Sequence, residues 1–289
     1  MVAHQDSILV AGVMGHPVQH SLSPEIFRFL GKVLNQPVVY RKMEVSPNDL
    51  PATVQALKKL SYLQGWNVTL PHKEKIARLM DHLHTSCGDA RSKSLQVVNV
   101  VHVVNHKLHG FNTDIPGVLL TLQEARVPLS GASILLLGAG GASAAVLEVM
   151  GQERVAQVWI VSRNPARAKK RALEFRKRFP KTLFQALLQS HLLTFSERVT
   201  LYVNATPLGM TGFPEETLLP QNLTPGAFAF DLIYRPHETV FLREATEKGL
   251  VPVYGLDLLI WQALLTWEIW VGPIPCRQEI KTLLRNHLL

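Results

Sequence analysis

Apolar residues in the first third of the chain occur in short runs, and these runs alternate with segments of helical periodicity. The runs are rich in valine and other β-branched residues, which favour strands. They predict strands at 7–14, 38–45, 65–70 and 97–104, and helices at 24–34, 50–60 and 75–83. Strands separated by helices of about ten residues are typical of βαβ units with a mainly parallel sheet.

The pattern starts again after a Val-Pro-Leu-Ser-Gly segment at 127–131, which follows a predicted helix at 114–125. Beyond it the predicted strands are 133–137, 157–161, 201–204 and 227–231. The predicted helices are one that ends at 150, one at 166–179 and a final apolar helix at 256–271. This alternation is typical of a doubly wound α/β fold that binds a nucleotide.

The composition is that of an ordinary globular protein. Of the 289 residues, 47% are apolar and 18% are charged, which excludes disordered and collagen-like chains. This length predicts one large domain or two medium ones. The formal charge is +8, but the basic residues are scattered except for a cluster at 163–178 in a predicted helix. Such a surface suits small anionic ligands as well as nucleic acid. Because no nucleic-acid-binding motif is recognisable, we expect no nucleic-acid partner.

Several features bear on the compartment. Cys87 and Cys276 stand far apart without Cys-x-x-Cys spacing, which argues against a disulfide framework and favours a reducing compartment. Residues 1–14 lack the order of a secretion signal. The apolar run 132–150 contains three glycines and Glu148, so a strand, a turn and a helix explain it better than a membrane span. We therefore expect a cytoplasmic protein with no membrane partner.

A glycine-rich turn links the strand at 133–137 to the following helix. It consists of Gly138, Ala139, Gly140, Gly141 and Ala142. Glycines at such a turn let the backbone approach a pyrophosphate, whose charge the free N–H groups and the helix dipole stabilise. A glycine turn alone can be a plain tight turn, but the order strand, turn and helix predicts a dinucleotide site.

The end of the next strand indicates which dinucleotide is bound. An NAD site normally carries an acidic residue there for the ribose 2′-hydroxyl, but no carboxylate lies between residues 155 and 171. Arg163 and Arg167 occupy the place instead. Guanidinium groups pair with phosphate through two hydrogen bonds, so the sequence predicts NADP as the cofactor. For Arg167 a solvated position on the helix is the alternative.

Seven segments, taken in order, resemble those of the shikimate dehydrogenase family, and together they cover nearly the whole chain. They lie at 15–24, 67–73, 110–114, 138–142, 204–210, 231–236 and 262–263. The resemblance implies the reversible reduction of 3-dehydroshikimate to shikimate by NADPH, in aromatic amino-acid precursor synthesis. It also implies a two-domain α/β fold with the active site in a cleft. The substrate domain would be 1–112 completed by 256–289, and the Rossmann-like NADP domain 113–255.

The resemblance assigns Lys73 and Asp114 as the catalytic pair. Ketone reduction leaves an alkoxide that needs a proton and a nearby positive charge, and a lysine supplies both. The implied ligands of the substrate are Ser21, Ser23 and Tyr234 at its carboxylate and Asn67, Thr69, Asn99 and Gln262 at its hydroxyls. The implied cofactor residues beyond the glycine turn are Ser162, Arg163, Asn164, Arg167, Thr206 and Gly255.

Some of these assignments have a purely structural alternative. Ser23, placed before Pro24, has the pattern of a helix N-cap, and so has Asp114. Lys73 could be a surface lysine, and Tyr234 could be a satisfied phenol at the edge of the core. Asn99 falls inside the predicted strand 97–104, where a buried amide needs partners.

Two departures from the family pattern leave the substrate open between shikimate and quinate. Val100 stands where the family usually carries threonine, and Leu258 where it usually carries methionine. The alternative functions are a quinate/shikimate dehydrogenase using NAD or NADP, and a non-catalytic ligand sensor on the same fold. Oligomeric state also stays open, including a homodimer.

A metal site is not expected. His82, His84 and Cys87 are close in sequence, but residues two apart on a helix do not face the same way, and a fourth ligand is missing. His102 and His106 are four apart, which would suit a helix, yet they lie in a strand-like segment.

Overall fold

The computed structural model describes residues 8–84 and 97–289. The chain forms two compact units. The first consists of Met1–Pro116 together with Ile260–Leu289, and the second of Gly117–Leu259. Each unit contains a six-stranded sheet of its own, which confirms the predicted α/β class. Cys87 and residue 7 of the predicted first strand lie outside the described residues.

The sheet of the first unit mixes parallel and antiparallel strands. Its strands are β1 (Leu9–Gly15), β2 (Val38–Glu44), β3 (Gly65–Val68), β4 (His82–Leu83), β5 (Val100–Val104) and β6 (Lys107–Phe111). Their order is β2-β1-β3-β5-β6-β4, and β5 runs antiparallel to both β3 and β6. Three of the five strand pairings are parallel, as predicted, and the antiparallel pairings arise because β5 and β6 form a hairpin. Asn105 and His106 make its two-residue turn with positive φ angles of 50° and 58°.

Helices cover this sheet through their apolar faces. They are α1 (Ser23–Val33), α2 (Leu50–Leu57), α3 (Lys73–Ala77) and α9 (Arg277–Leu288). The buried core contains Phe27, Trp66 and Ile76. The predicted helix 75–83 is wrong in its second half: α3 ends at Ala77 and β4 follows. Asp81 explains the change, because its backbone N–H and its carboxylate are bonded to the carbonyl and the N–H of Leu108 in β6.

Two helices cross from one unit to the other, α4 (Asp114–Glu124) and α8 (Gly255–Trp270). The sequence predicted α8 as the last element, which is wrong because α9 follows it. The segment between them contains Gly272, with a φ of 128°, and two prolines, so the chain breaks and starts a second helix.

The sheet of the second unit is entirely parallel. Its strands are β7 (Ser133–Leu137), β8 (Gln157–Val161), β9 (Leu183–Leu187), β10 (Leu201–Asn204), β11 (Phe228–Asp231) and β12 (Val251–Val253). Its helices are α5 (Gly141–Gln152), α6 (Pro165–Arg178) and α7 (Val240–Glu247), with a short 3₁₀ helix at Gln189–Thr194. The strand order β12-β11-β10-β7-β8-β9 confirms the doubly wound fold. The order reverses between β7 and β10, and ligands of such sheets bind beyond the strand ends at that point.

Strands β9 and β12 and helix α7 were not predicted from the sequence. Both strands lie at the edges of the sheet, and β12 has the sequence Val-Pro-Val. A proline lowers the strand signal and is tolerated at an edge, where one face of the backbone needs no partner. Among the described residues, none of the helices is long and apolar enough to cross a membrane.

Candidate active site

Lys73 and Asp114 form an ion pair in the first unit. Lys73 begins α3 and Asp114 begins α4, and the distance from Nζ to Oδ2 is 2.7 Å. The side chains are 25% and 14% exposed, so the pair is shielded from bulk water but reachable by a small molecule. The structure therefore does not support the alternative that Lys73 is an ordinary surface lysine.

The second oxygen of Asp114 is also held. Oδ1 accepts hydrogen bonds from Asn99 Nδ2 at 2.8 Å and from Gln262 Nε2 at 3.1 Å. Three side chains from distant parts of the sequence thus donate to one carboxylate, an arrangement that suits its ionised, acceptor-only form. Neither oxygen can rotate without losing a donor.

Asn112 caps helix α4. Its Oδ1 accepts from the backbone N–H groups of Asp114 at 2.9 Å and Ile115 at 3.2 Å. The alternative that Asp114 is the N-cap is therefore wrong, since a neighbour two residues earlier satisfies those donors. The carboxylate of Asp114 is left to the ion pair and the amides.

Asn99 lies at a bend just before β5, not inside the strand as predicted. It is 5% exposed and uses both ends of its amide. Its Oδ1 accepts from Thr113 N at 2.7 Å, while its Nδ2 donates to Asp114 and to Thr113 Oγ1. The partners that a buried amide requires are thus supplied by the segment that precedes α4.

Asn67 extends the same polar network. Its Oδ1 accepts from the hydroxyl of Tyr40 at 2.7 Å, and its Nδ2 donates to Thr266 Oγ1 at 3.2 Å. Thr266 in turn donates to the carbonyl oxygen of Gln262. Burial raises the pKa of Tyr40 well above its ordinary value, and a hydrogen bond with Ser23 acts in the opposite direction.

The two serines lie at the start of α1. The N-cap of this helix is Leu22, and no side chain caps it, so the alternative that Ser23 is the N-cap is wrong. Instead Ser21 Oγ accepts from the backbone N–H of Ser23 and donates to its hydroxyl oxygen at 3.1 Å. Thr69 is half-buried just after β3, and its backbone N–H bonds to Met14 O. Seven of the predicted residues in the first unit therefore belong to one hydrogen-bond network, joined directly or through Tyr40 and Thr266. They are Ser21, Ser23, Asn67, Asn99, Lys73, Asp114 and Gln262.

The glycine turn of the second unit contains two kinds of glycine. Gly138 has a φ of 113°, and a Cβ there would lie 2.6 Å from Ala205 O, so the fold itself requires glycine. Gly140 is the N-cap of α5 with an extended backbone, and a Cβ there would meet no atom of the chain. The space in front of the N-terminus of α5 is therefore open, and such a space suits a phosphate group.

Two exposed guanidinium groups follow strand β8. Ser162 Oγ accepts from Asn164 N, and Asn164 Oδ1 accepts from Arg167 N, which caps α6. Among the described residues, no carboxylate lies within ion-pair distance of Arg163 or Arg167. Ser162 and Asn164 therefore shape the turn, while both arginines keep their donors for solvent or a ligand.

Thr206, Gly255 and Tyr234 also lie in the second unit. Thr206 donates through its N–H and its hydroxyl to Asn204 Oδ1. A Cβ on Gly255 would lie 2.4 Å from Ile233 O, so close packing explains this glycine without a cofactor. Burial raises the pKa of Tyr234, and Arg235 acts in the opposite direction.

Comparisons with known proteins support the same family along the chain. The family model described as "Shikimate dehydrogenase substrate binding domain" matches residues 13–101, and "Shikimate / quinate 5-dehydrogenase" matches residues 121–196. The shikimate dehydrogenase (NADP(+)) of Carboxydothermus hydrogenoformans is 35% identical over 277 residues, covering 92% of each chain. That of Thermus thermophilus is 36% identical over 264 residues, covering 91% of this chain and 92% of the relative. The chain belongs to the shikimate dehydrogenase family.

Solved structures of shikimate dehydrogenases have the same fold. An enzyme from Thermus thermophilus, in complex with NADP(H) and shikimate, has a TM-score of 0.77 at 33% identity, covering 97% of this chain and 100% of its own. The enzyme from Listeria monocytogenes, in complex with shikimate and NAD, has a TM-score of 0.81 at 29% identity, covering 96% of each chain.

The polar network of this shikimate dehydrogenase family member contains three residues that sequence reasoning missed. They are Tyr40, Asn112 and Thr266. Asn112 lies in the segment 110–114 that resembles the family, just before the predicted helix 114–125, where a capping residue is expected. Tyr40 follows two valines in a predicted strand, and Thr266 lies in the predicted apolar helix 256–271. A hydroxyl that such an element buries needs a partner, and this is the signal that could have found them.

The segment that contains His82 and His84 is not helical, so the predicted helix geometry at these histidines is wrong. His82 lies in β4 and His84 follows it, so the two face the same side of an extended chain. His84 Nε2 lies 2.8 Å from His109 Nδ1 in a hydrogen bond. Even so, within the described ranges no group of three or more His, Cys, Asp or Glu residues is arranged to hold a metal ion.

Proposed function

We propose that this protein catalyses the reversible reduction of 3-dehydroshikimate to shikimate with NADPH. The observation that carries the proposal is the Lys73–Asp114 pair, held by Asn99 and Gln262, in a chain that belongs to the shikimate dehydrogenase family. The relatives reported above are named as NADP(+)-dependent shikimate dehydrogenases. The reaction is therefore that of an oxidoreductase acting on a CH–OH group.

Lys73 has the chemistry that the oxygen of the reacting carbonyl needs. NADPH supplies the hydride for the carbonyl carbon when it is bound. The ammonium of Lys73 has three N–H donors, and the contact with Asp114 uses one of them. A second donor is then available to stabilise the negative charge that develops on the oxygen and to protonate it. In the reverse direction the amine accepts that proton.

Asp114 has two functions in this scheme. Its Oδ2 fixes the position of Lys73 Nζ at 2.7 Å. Its partly exposed carboxylate also accepts a hydrogen bond from the neighbouring substrate hydroxyl. The amides of Asn99 and Gln262 hold the carboxylate in place while the lysine changes its charge.

The substrate is recognised by neutral hydrogen-bonding groups and by a tyrosine. Ser21, Ser23 and Tyr234 bind the carboxylate, and Asn67, Thr69, Asn99 and Gln262 bind the ring hydroxyls. In support, most of these amides and hydroxyls of the first unit already hold one another in a fixed orientation. A preformed set of donors and acceptors lowers the ordering cost of binding a polyhydroxylated ring.

The second unit has a surface that fits NADP. Gly138, Ala139, Gly140, Gly141 and Ala142 would bind the pyrophosphate at the start of α5, with Thr206 and Gly255 nearby at the neighbouring strand ends. Ser162 and Asn164 would position Arg163 and Arg167, which would bind the 2′-phosphate. The fit rests on the open space at Gly140 and on two guanidinium groups without a carboxylate partner in the described chain.

The wider assignments follow from this activity. We place the enzyme in the cytoplasm and in the synthesis of aromatic amino-acid precursors through chorismate. The substrate domain corresponds to 1–112 completed by 256–289 and the NADP domain to 113–255. A homodimer is compatible with this function, and gel filtration with light scattering measures it.

A steady-state assay tests the proposal against the quinate alternative. Oxidation of shikimate and of quinate is followed by absorbance of the reduced nicotinamide, with NADP⁺ and NAD⁺ in separate reactions. We expect turnover with shikimate and NADP⁺ to exceed the other three combinations. Activity confined to quinate and NAD⁺ would contradict both assignments, and a lack of turnover with tight shikimate binding would favour the ligand sensor.

A further inference from the structure

One buried carboxylate lies between the loops that follow two neighbouring strands of the second unit. Asp231 ends β11 and is fully buried. Its Oδ1 accepts from Ile233 N at 2.9 Å, its Oδ2 accepts from Thr239 Oγ1 at 2.6 Å, and both accept from Asn204 Nδ2 at 3.1 Å. Donors alone surround it, so the ionised form is held inside the protein.

The first branch of this cluster leads to Thr206. Asn204 ends β10, and its Nδ2 donates to Asp231 and, at 3.3 Å, to Leu208 O, which fixes the orientation of its amide. The other end, Oδ1, accepts from Thr206 N at 3.0 Å and Thr206 Oγ1 at 2.7 Å. The same loop touches the glycine turn, because a Cβ on Gly138 would lie 2.6 Å from Ala205 O. Asp231 thus determines the position of Thr206 through one intermediate amide.

The second branch leads to Tyr234. The N–H of Ile233 and the hydroxyl of Thr239 fix both ends of the turn that carries this tyrosine. Thr239 also caps α7 by accepting from Leu242 N. The start of α8 lies against the turn, since a Cβ on Gly255 would be 2.4 Å from Ile233 O. Thr206, Tyr234 and Gly255, which came from three separate sequence segments, therefore lie on backbone that one carboxylate ties together.

We propose that Asp231 is a positioning residue that sets the Thr206 loop and the Tyr234 turn together, so that affinity for NADPH and affinity for the substrate depend on one buried group. This inference rests on the proposed function, which assigns Thr206 to the cofactor and Tyr234 to the substrate. A carboxylate is costly to bury. Apolar side chains could cover the strand ends just as the carboxylate does, but they would not orient the amide of Asn204.

The pH behaviour of Asp231 agrees with this geometry. Burial raises its pKa from 3.8 to about 6, and the hydrogen bonds from Thr239, Ile233 and Asn204 act in the opposite direction. The group is ionised at neutral pH and takes up a proton in mild acid. Protonation turns one acceptor oxygen into a donor facing Thr239 or Asn204, which weakens both branches at once.

The test is the isosteric variant Asp231→Asn, which places an amide nitrogen against Asn204 Nδ2 or Thr239 Oγ1. We expect the KM values for NADPH and for 3-dehydroshikimate each to rise about tenfold, while kcat changes by less than about threefold. The Kd of NADPH, measured by nicotinamide fluorescence without substrate, should rise by the same factor as its KM. A merely structural carboxylate would lower Tm and leave both KM values and the Kd unchanged.

A second pair of variants covers the case in which Asp231→Asn does not fold. Thr239→Val removes one donor to Asp231 at constant size, and Thr239→Ser keeps that donor. We expect Thr239→Val to raise both KM values several-fold and Thr239→Ser to restore them. Glu247→Gln neutralises an exposed carboxylate at the end of α7 and serves as the control.

The outcomes separate this inference from the proposed function. Unchanged KM and Kd values in a folded Asp231→Asn protein, or in Thr239→Val, overturn the positioning role. A wild-type protein that does not reduce 3-dehydroshikimate with NADPH contradicts the proposed function instead. In that case the fluorescence titration of NADPH against the same variants still decides whether Asp231 positions the cofactor loop.

Discussion

The residues around Asp114 in the first unit and the arginines that follow β8 in the second unit are held in opposite ways. In the first unit the polar side chains bind one another, as Asp114 does with Lys73, Asn99 and Gln262. In the second unit the side chains of Ser162 and Asn164 satisfy only their local turn, and the arginines between and after them keep their donors. The ring hydroxyls of a polyol need a preformed array of donors and acceptors, whereas the phosphates of a cofactor are attracted to donors that are still available.

This difference predicts how each unit responds to substitution. Removing a member of a network of mutually bonded side chains disturbs its neighbours and the chemistry that they support. Removing a group without a protein partner costs only the contact with the ligand. We therefore expect variants of Lys73 and its neighbours to change kcat, and variants of Arg163 and Arg167 to change cofactor affinity.

The largest expected effect is that of Lys73→Ala. The variant removes both the proton donor and the positive charge at the reacting oxygen, so we expect kcat to fall by about a thousandfold. The Kd of NADPH should not change, because the contacts of Lys73 with Asp114 and of its carbonyl with Val98 lie within the first unit. Lys75→Ala, an exposed position on the same helix, is the control. A near-normal kcat would remove Lys73 from the mechanism.

The next effect concerns the choice between NADPH and NADH. Arg163→Ala combined with Arg167→Ala removes the proposed 2′-phosphate ligands, and we expect kcat/KM for NADPH to fall about a hundredfold. The value for NADH should stay within about threefold, because NADH lacks that phosphate. Arg176→Ala, exposed in the last turn of the same helix, controls for loss of positive charge. Equal losses with both cofactors would contradict the assignment.

Much of the second unit could be predicted from the sequence because its signals are local. A buried parallel strand such as β7 reads as a continuous apolar run, and the glycine turn follows it directly. The mixed sheet of the first unit was harder to predict. The hairpin of β5 and β6 has positive φ angles at Asn105 and His106, and β4 pairs with β6 next to the bonds between Asp81 and Leu108. Both depend on partners that a sequence window does not contain.

The candidate site shows the same limit. The resemblance to the family predicted Lys73 and Asp114 as the catalytic pair. It did not show that Asn112 caps the helix and so leaves the carboxylate of Asp114 available for the ion pair. The central position of Asp231 was also hidden, because its donors come from Asn204 and Thr239, on different elements. Local capping and turn rules favour the nearest polar residue, whereas in this structure the hydrogen-bond partners are other residues.

A smaller effect distinguishes the two kinds of glycine in the turn. Gly140→Ala adds a methyl group where the chain has no atom, so we expect an unchanged Tm and a Kd for NADPH that rises about tenfold. Gly138→Ala is the matched contrast. Its Cβ would meet Ala205 O at a φ of 113°, so we expect it to lower Tm as well. Unchanged NADPH binding in Gly140→Ala would show that the cofactor does not approach this residue.

The smallest effect is a difference in how the two units respond to acid. Burial, with smaller contributions from the nearby His109 and His84, lowers the pKa of His102 in the first unit to about 4. Gln64 Nε2, which also donates to Trp270 O, lies 2.9 Å from His102 Nε2, so the neutral ring accepts there. The unfolded chain binds a proton near pH 6.5 and the folded chain only near 4, so this group costs stability as pH falls between those values.

Asp231 in the second unit has the opposite sign. Its folded pKa of about 6 lies above the ordinary 3.8, so the folded chain takes up a proton first and gains stability as pH falls from about 6 to about 4. Between about pH 6 and about pH 4, we expect the free energy of unfolding of His102→Gln to rise relative to wild type by about 1 kcal/mol. This value is reduced for the partial exposure of the ring. Asp231→Asn should become less stable relative to wild type over the same range. Urea unfolding of both variants and of the exposed control His20→Gln at several pH values measures the two slopes, and slopes of the same sign would refute the assignment of opposite proton uptake.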